Sequence, residues 1–296
     1  PGSGCTGARC QKVSLSDTNA VPHVLILSGV KGDTRRYRSF HPYEQLRLAG
    51  MPVQLAHITD PSLPKKAAES DVILFQRVVY DGYVERIIQQ ARRNHCLLIL
   101  DVDDLVFDPS MFRWIDSPDF QDPIRRTLYQ EDMRRNLATL KACDAVTTST
   151  EYLAGEVRKL EKPAWVHRNA FSLEMLEKSE AVYCEQTAPR ERSIIGYASG
   201  TPTHNRDFAL IQPALRRVLV QNPQTELWVI GPLEVGEDWG EAANRIRHLP
   251  LVPWRDLPGC LAQFDINLAP LRLDNPFSQS KSEIKYMEAA LVRVPT

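Results

Sequence analysis

The sequence predicts an α/β protein made of two successive strand–helix units, each built around a parallel sheet. Three observations predict it. Short apolar runs alternate with helical patterns over most of the chain, as strands joined by crossover helices do. A polar stretch at 170–192, without strong periodicity, interrupts that alternation, which then restarts. Each unit opens with a strand that runs into a glycine-containing loop, at Gly29 and at Gly200. A length of 296 residues suits two domains at about 150 residues each. With 43% hydrophobic and 25% charged residues, the chain can bury two cores.

Pro1–Ala20 is rich in Gly, Ser and Thr and reads as a flexible lead-in or the end of an upstream segment. His23–Ser28 is the first buried strand, and Gly29–Tyr37 is a loop with two glycines and three cations. A helical pattern through Tyr43, Leu46 and Leu48 stops at Gly50. Val53–His57, Asp71–Gln76 and Cys96–Leu100 read as strands, with a helix over Tyr83–Asn94. A long helical segment, Pro123–Cys143, leads to strand Ala145–Thr148, helix Glu151–Leu160 and strand Ala164–His167. In the second unit, strands are expected at Ser193–Ala198, Thr225–Ile230 and Asp265–Ala269. Helices are expected at Asp207–Val220, Asp256–Gln263 and Ser282–Leu291. Val294–Thr296 reads as the opening of another strand, so the second unit reads as truncated. The resulting division is a lead-in at 1–21, a first domain at 22–170, a linker at 171–192 and a second domain at 193–296.

The 36 basic and 37 acidic side chains nearly cancel, which excludes a strongly basic nucleic-acid footprint over the whole chain. No apolar run approaches the roughly 18 residues of a membrane span, and no signal peptide is seen. Of the six cysteines, only Cys5 and Cys10 are close, and their spacing does not suit zinc. Reduced thiols and a cytoplasmic setting are expected.

Four constellations can carry chemistry. Ser199–Arg206 joins a strand to a helix, where free N–H groups and the positive dipole end attract phosphate. Thr201 and Thr203 add hydroxyls, and His204 and Arg206 add cations; a capped, solvated turn is the alternative. Asn275–Glu288 is a second such junction. It sets Lys281 and Ser282 at the helix start, and Glu288 further along can accept two hydrogen bonds from a ribose diol. An ordinary acidic helix start is the alternative there. Asp101, Asp103 and Asp104 follow one strand, and their mutual repulsion demands compensation. They suit a Mg²⁺–phosphate site, a phosphatase nucleophile, an acceptor cleft or a cap of the next turn. The basic loop Lys31–Arg38 either is solvated or offers Arg35, Arg36 or Arg38 to an anion. His41 and His57 read as structural or surface histidines, and Trp228 as core. Trp254 lies in a loop that either borders a base or packs.

These residues resemble the retaining family-four (group 1) glycosyltransferases over roughly 22–296. The resemblance rests on Asp144–Leu153 followed by Val166–Ala170, on Ile195–Phe208, and on the segments Leu251–Leu257, Phe264–Leu271 and Ser280–Thr296 in that order. It implies the GT-B fold, two Rossmann-like domains facing each other across a cleft. It implies transfer of a sugar from a nucleotide-diphosphate donor to a glycan or lipid-linked acceptor, in cell-surface polysaccharide or glycolipid assembly. No cofactor, metal or nucleic acid is implied. Gly200, Thr201, His204 and Arg206 would approach the diphosphate, as would Lys281 and Ser282. Glu288 matches the second glutamate of the family's E-x7-E motif, which binds the ribose, and Trp254 would lie beside the base. Asp103, Arg206 and Lys281 are the expected catalytic residues.

The chain departs from the family pattern at three places. Ser280 replaces the first glutamate of E-x7-E, which faces the sugar. His204 stands where the family has a diphosphate lysine, so Arg206 or a protonated His204 would supply that charge. Asp103 replaces the histidine of the family's HD pair. The alternatives from other classes are a non-catalytic sugar-nucleotide-binding scaffold and a Mg²⁺-dependent phosphatase with an Asp nucleophile. Arg125, Arg126, Arg134 and Arg135 share one helical segment, which admits peripheral contact with the inner face of a membrane; a solvated helix face accounts for the same charges.

Overall fold

The structure, a computed structural model, describes residues 21–115, 117–185 and 191–296. Cys5, Cys10 and nearly all of the expected lead-in lie outside the described residues.

The first sheet contains β1 (Val24–Ser28), β2 (Val53–His57), β3 (Val72–Gln76), β4 (Leu97–Val102), β5 (Ala145–Thr148) and β6 (Ala164–Val166). Its order is β2-β1-β3-β4-β5-β6, and every pairing is parallel. Its helices are α1 (Asp33–Arg35), α2 (His41–Leu48), α3 (Leu63–Ala68), α4 (Gly82–Arg93), α5 (Pro123–Ala142) and α6 (Glu151–Arg158). The second sheet contains β7 (Ser193–Ala198), β8 (Thr225–Ile230), β9 (Ile246–Leu249) and β10 (Ile266–Asn267), all parallel in the order β10-β7-β8-β9. Around it lie α7 (Leu173–Glu185), α8 (Asn205–Gln221), α9 (Leu257–Leu261) and α11 (Ile284–Leu291), while α10 (Pro276–Gln279) sets Phe277 into the core of the first domain. Two parallel sheets, each flanked by helices, make two Rossmann-like domains in a GT-B-type arrangement.

The cores follow from apolar runs buried on both faces. Leu25, Ile26 and Leu27 of β1 are all inaccessible to solvent; each such side chain contributes about 1.5–3 kcal/mol by leaving water. Leu25, Phe75, Leu98, Leu100 and Val146 belong to one cluster under the first sheet. The second sheet has one cluster around Tyr197, Phe208 and Trp239 and another around Ile230, Phe264 and Ala289. Side chains start several helices: Asp81 accepts from the amides of Tyr83 and Val84, Asp122 from Ile124, and Thr150 from Leu153.

Strand order reverses between β1 and β3 in the first sheet and between β7 and β10 in the second. At these switch points the loops leaving the carboxyl ends diverge and open a crevice. Glycine is required beside both. A Cβ on Gly29, just after β1, would lie 2.4 Å from the Arg77 carbonyl oxygen after β3. Gly231, just after β8, has φ +90°, and a Cβ there would lie 2.0 Å from the Ser199 carbonyl oxygen after β7.

Several expectations need correction. The basic loop is helical from Asp33 onward, through α1 and a π-helical turn at Arg36–Phe40 into α2. The segment 170–192, expected to lack periodic structure, carries α7, which packs on α9 and α11. The last helix begins at Ile284, so Lys281 and Ser282 lie in the turn before it rather than in its first turn. The strand expected at Asp265–Ala269 is only Ile266–Asn267, and β9 and α3 were not anticipated. Trp228, read as core, is half-buried: it packs against the second sheet's core cluster, and its indole N–H donates to Glu226 under the Arg247 guanidinium.

Candidate functional site

The first wall of the site grows from the carboxyl edge of the first sheet. Ser28, Gln76, Asp101 and Thr147 are register neighbours across four strands, forming a polar row where the strands end. Asp101 is the row's charged member, and Arg38 answers it. The Arg38 guanidinium is 0% exposed and donates to both Asp101 oxygens, at 2.8 and 2.5 Å. Thr147 adds a 2.7 Å bond to Asp101, while the His167 carbonyl and Asn169 Oδ1 accept from Arg38 Nη1. Arg38 is therefore committed to Asp101 rather than to an anionic ligand, and Asp101 is enclosed, which does not suit an attacking carboxylate.

Asp103 and Asp104 follow β4 and are largely buried. Arg77, held in the left-handed region at φ 46°, donates Nε to Asp103 at 2.8 Å and Nη2 to Asp104. Lys281, from the second domain, reaches Asp104 at 2.7 Å. Burial works against the Asp104 carboxylate, but Lys281 and Arg77 outweigh it and hold it below its ordinary range. Burial pushes Asp103 up, with Arg77 opposing. The compensation that three clustered carboxylates demand thus comes from Arg38, Arg77 and Lys281. Among the described residues, no cluster of three His, Cys, Asp or Glu side chains is arranged to hold a metal ion.

The second wall surrounds the switch point between β7 and β10. Gly200 and Thr201 are exposed in the loop after β7, with the Thr201 and Thr203 hydroxyls 2.8 Å apart. A 3-10 turn at Pro202–His204 runs directly into α8, and neither start has a side-chain cap. A narrow recess beside them is lined by His204, Arg206, Arg272 and Lys281 together with the Asp207 carboxylate, and Arg272 is paired with Asp274 at 2.9 Å. His204 is buried, and its Nδ1 lies 2.9 Å from Asp207 Oδ2. Asp207 in turn accepts from the Arg272 amide at 3.0 Å and from Ser278 at 3.4 Å. Burial, with Lys285 and Lys281 nearby, drives the His204 pKa down. The Asp207 contact opposes that fall.

Glu288, on α11, crosses to the first domain. Its Oε1 accepts from the Tyr37 hydroxyl at 2.6 Å and from Arg36 Nη2 at 3.2 Å. The Arg36 guanidinium also lies 4.9 Å over the Trp254 ring, whose other cationic neighbour is Arg255 at 4.4 Å. The Ser282 hydroxyl accepts from Asn169 Nδ2 at 2.7 Å. Ser280 is 0% exposed and donates to the Phe277 carbonyl at 2.7 Å, so its hydroxyl does not face the crevice.

The fold thus gathers His204, Arg206 and Lys281 at one recess. Asp103 joins them through the Arg77–Asp104 link to Lys281, while Glu288 and Trp254 meet around Arg36. Sequence reasoning missed Arg272, Arg77, Tyr37 and Lys285. The signal for Lys285 was available, since it lies three residues before Glu288 on the same helix face. Arg77 carried no local signal.

Elsewhere, Cys96, Cys143, Cys184 and Cys260 are free thiols, and burial pushes Cys96 up to about 11. Arg125, Arg134 and Arg135 on α5 pair with Asp119, Glu131 and Asp132, and Arg126 donates to the Phe120 carbonyl. Among the described residues, no helix is long and apolar enough to cross a membrane.

No protein-family model and no curated protein sequence matches the chain. Solved structures of similar architecture do. UDP-N-acetylglucosamine 2-epimerase from Rickettsia bellii aligns over 93% of this chain and 78% of its own, at 12% identity and TM-score 0.48. A trehalose 6-phosphate synthase from Burkholderia multivorans aligns over 88% and 82%, at 10% identity and TM-score 0.48. UDP-GlcNAc 2-epimerase from Neisseria meningitidis, bound to UDP-GlcNAc, aligns over 92% and 94%, at 10% identity and TM-score 0.47.

Proposed function

We propose that the chain transfers a sugar, with retention, from a nucleotide-diphosphate donor to a glycan or lipid-linked acceptor, in cell-surface polysaccharide assembly. The observation that carries this reading is the convergence of Arg206, Arg272 and Lys281 on one recess beside the uncapped start of α8, at the switch point of a parallel sheet. There Arg272 and Lys281 would exchange their Asp274 and Asp104 partners for the oxygens of a diphosphate. The donor domain then spans 193–296 and the acceptor domain 22–170, joined through 171–192.

Departure of a nucleoside diphosphate builds negative charge on its terminal phosphate. Cations and helix amides set there beforehand stabilise that charge more in the transition state than in the ground state. Lys281 and Arg206 take this role, with Gly200, Thr201 and Ser282 lining the approach. Glu288 accepts the ribose diol after exchanging its bonds to Tyr37 and Arg36, and Trp254 borders the base. Asp103 faces the sugar, and the acceptor enters from the Gly29–Arg38 side.

The test is a thermal-shift panel of UDP, GDP, dTDP, ADP and CMP on the wild type and Glu288→Ala. A nucleotide at a hundred times its Kd stabilises by about 2.7 kcal/mol. A shift for one nucleoside diphosphate, lost in Glu288→Ala, is expected; no shift with any member of the panel overturns the reading. The enclosure of Ser280, where the family has a sugar-facing glutamate, favours a second reading: nucleotide-sugar binding without transfer. Binding without turnover over a panel of acceptors would select it.

A further inference from the structure

Lys285 is a partly buried lysine that the reading above leaves unused. Its ammonium lies 3.3 Å from His204 Nε2 and 5.9 Å over the Tyr197 ring. Among the described residues it has that one hydrogen-bond partner and no carboxylate in ion-pair contact. The partner's protonation follows from its own neighbour. Asp207, anchored by the Arg272 amide and Ser278, accepts a hydrogen bond from His204 Nδ1–H. Nε2 therefore presents a lone pair, and Lys285 donates to it. Two ammonium protons remain, on a lysine that sits behind His204, which lines the recess.

We propose that Lys285 is a cation that contacts the diphosphate of the donor, and that His204, locked by Asp207, is the positioning residue that aims it. The proposal rests on the nucleotide-sugar reading. It relocates to α11 the lysine charge that alignment would seek at position 204.

The surroundings agree. His204 faces Lys285 from the turn before α8, Asp207 from α8, Tyr197 from β7, Lys281 from the turn before α11, Glu288 from α11 and Asp104 from the first domain. Burial and the nearby Lys281 bring the Lys285 pKa down to about 8, with Glu288, Asp207 and Asp104 opposing. An ammonium with one neutral partner and a cationic neighbour is held at a cost to the unliganded fold, which an anionic ligand would offset. Binding a diphosphate would pull the pKa back up, so binding near pH 8 takes up about half a proton.

The experiment is titration calorimetry of UDP, GDP, ADP, dTDP and inorganic pyrophosphate at pH 8, in two buffers of different ionisation enthalpy. Wild type is compared with Lys285→Met, Lys285→Arg, His204→Ala and His204→Gln. Lys285→Met should lose about tenfold or more in affinity and lose the proton uptake, while its unliganded melting temperature stays equal or rises. Lys285→Arg should keep most of the affinity and lose the uptake, because guanidinium does not titrate there. His204→Ala should weaken binding, and His204→Gln, which keeps an acceptor, should restore part of it. Wild-type affinity and proton uptake in Lys285→Met would overturn the proposal and leave the donor site standing. If Lys285→Met folds poorly, Lys285→Arg decides: uptake retained in that variant also overturns the proposal. No binding of any probe to folded wild type would overturn the nucleotide-sugar reading and this inference together.

Discussion

The Tyr37 hydroxyl donates a 2.6 Å hydrogen bond to Glu288, joining residues 251 positions apart and closing the crevice with a contact between the two domains. Arg36 reinforces it from the same turn. The carboxylate expected to receive a ribose is thus already hydrogen-bonded by the facing domain. Burial raises its pKa, and Tyr37 and Arg36 oppose that rise. Ribose hydroxyls would have to exchange with Tyr37 at this carboxylate. Tyr37→Phe should therefore lower the unliganded stability by about 1.5–3 kcal/mol while tightening nucleotide-diphosphate binding. Unchanged or weaker binding, measured by calorimetry, would count against competition at Glu288.

The Arg38–Asp101 pair is enclosed and held by further hydrogen bonds from Thr147 and to Asn169, so breaking it from one side strands a buried charge. Arg38→Met should cost about 3–5 kcal/mol in urea denaturation. The double variant Arg38→Met/Asp101→Leu should recover part of that loss, because it removes both charges. A cost below about 1 kcal/mol for the single variant would contradict the enclosure.

Acid should weaken the fold before most carboxylates titrate. Burial lowers the pKa of His41, His167 and His204 below the ordinary value near 6.5. Below that value the unfolded chain binds protons that the folded chain refuses. Stability is then unaffected above about 6.5 and declines as pH falls through the window beneath it. Melting temperatures should drop between pH 7 and pH 5, and His204→Gln should flatten part of the drop. A melting temperature that rises over this range would refute the assignment.

Gly231 ties the backbone to the site. Its φ of +90° and its 2.0 Å clash distance to the Ser199 carbonyl leave no room for a side chain. Gly231→Ala should cost on the order of 1–3 kcal/mol from backbone strain and displace the Ser199–Thr201 turn. Nucleotide binding should weaken along with stability, whereas Gly200→Ala, with no atom within 4 Å of its Cβ, should leave stability nearly unchanged. Equal melting temperatures for the two variants would show that the close approach is unimportant.

Much of the architecture was legible because its determinants are local. Ala145–Thr148, Ser193–Ala198 and Thr225–Ile230 form strands at the bounds their apolar runs indicate. The strand β9 was not legible: Ile-Arg-His-Leu carries little apolar character and is a strand because β8 offers it a partner. The short helices α1 and α3 likewise escaped the periodicity search, which needs more than one or two turns to register.

By itself the sequence determined two parallel sheets, their glycine-bearing turns and the loops from which the site would be drawn, since apolar periodicity and turn chemistry act over a few residues. Only the tertiary structure decided partners. Arg38 answers Asp101 over 63 positions, Lys281 answers Asp104 over 177, and Lys285 finds His204 over 81. The physical reason is that a charge takes its protonation state and its role from whatever lies within a few ångströms, and in a doubly wound fold those neighbours come from strand order rather than from chain order.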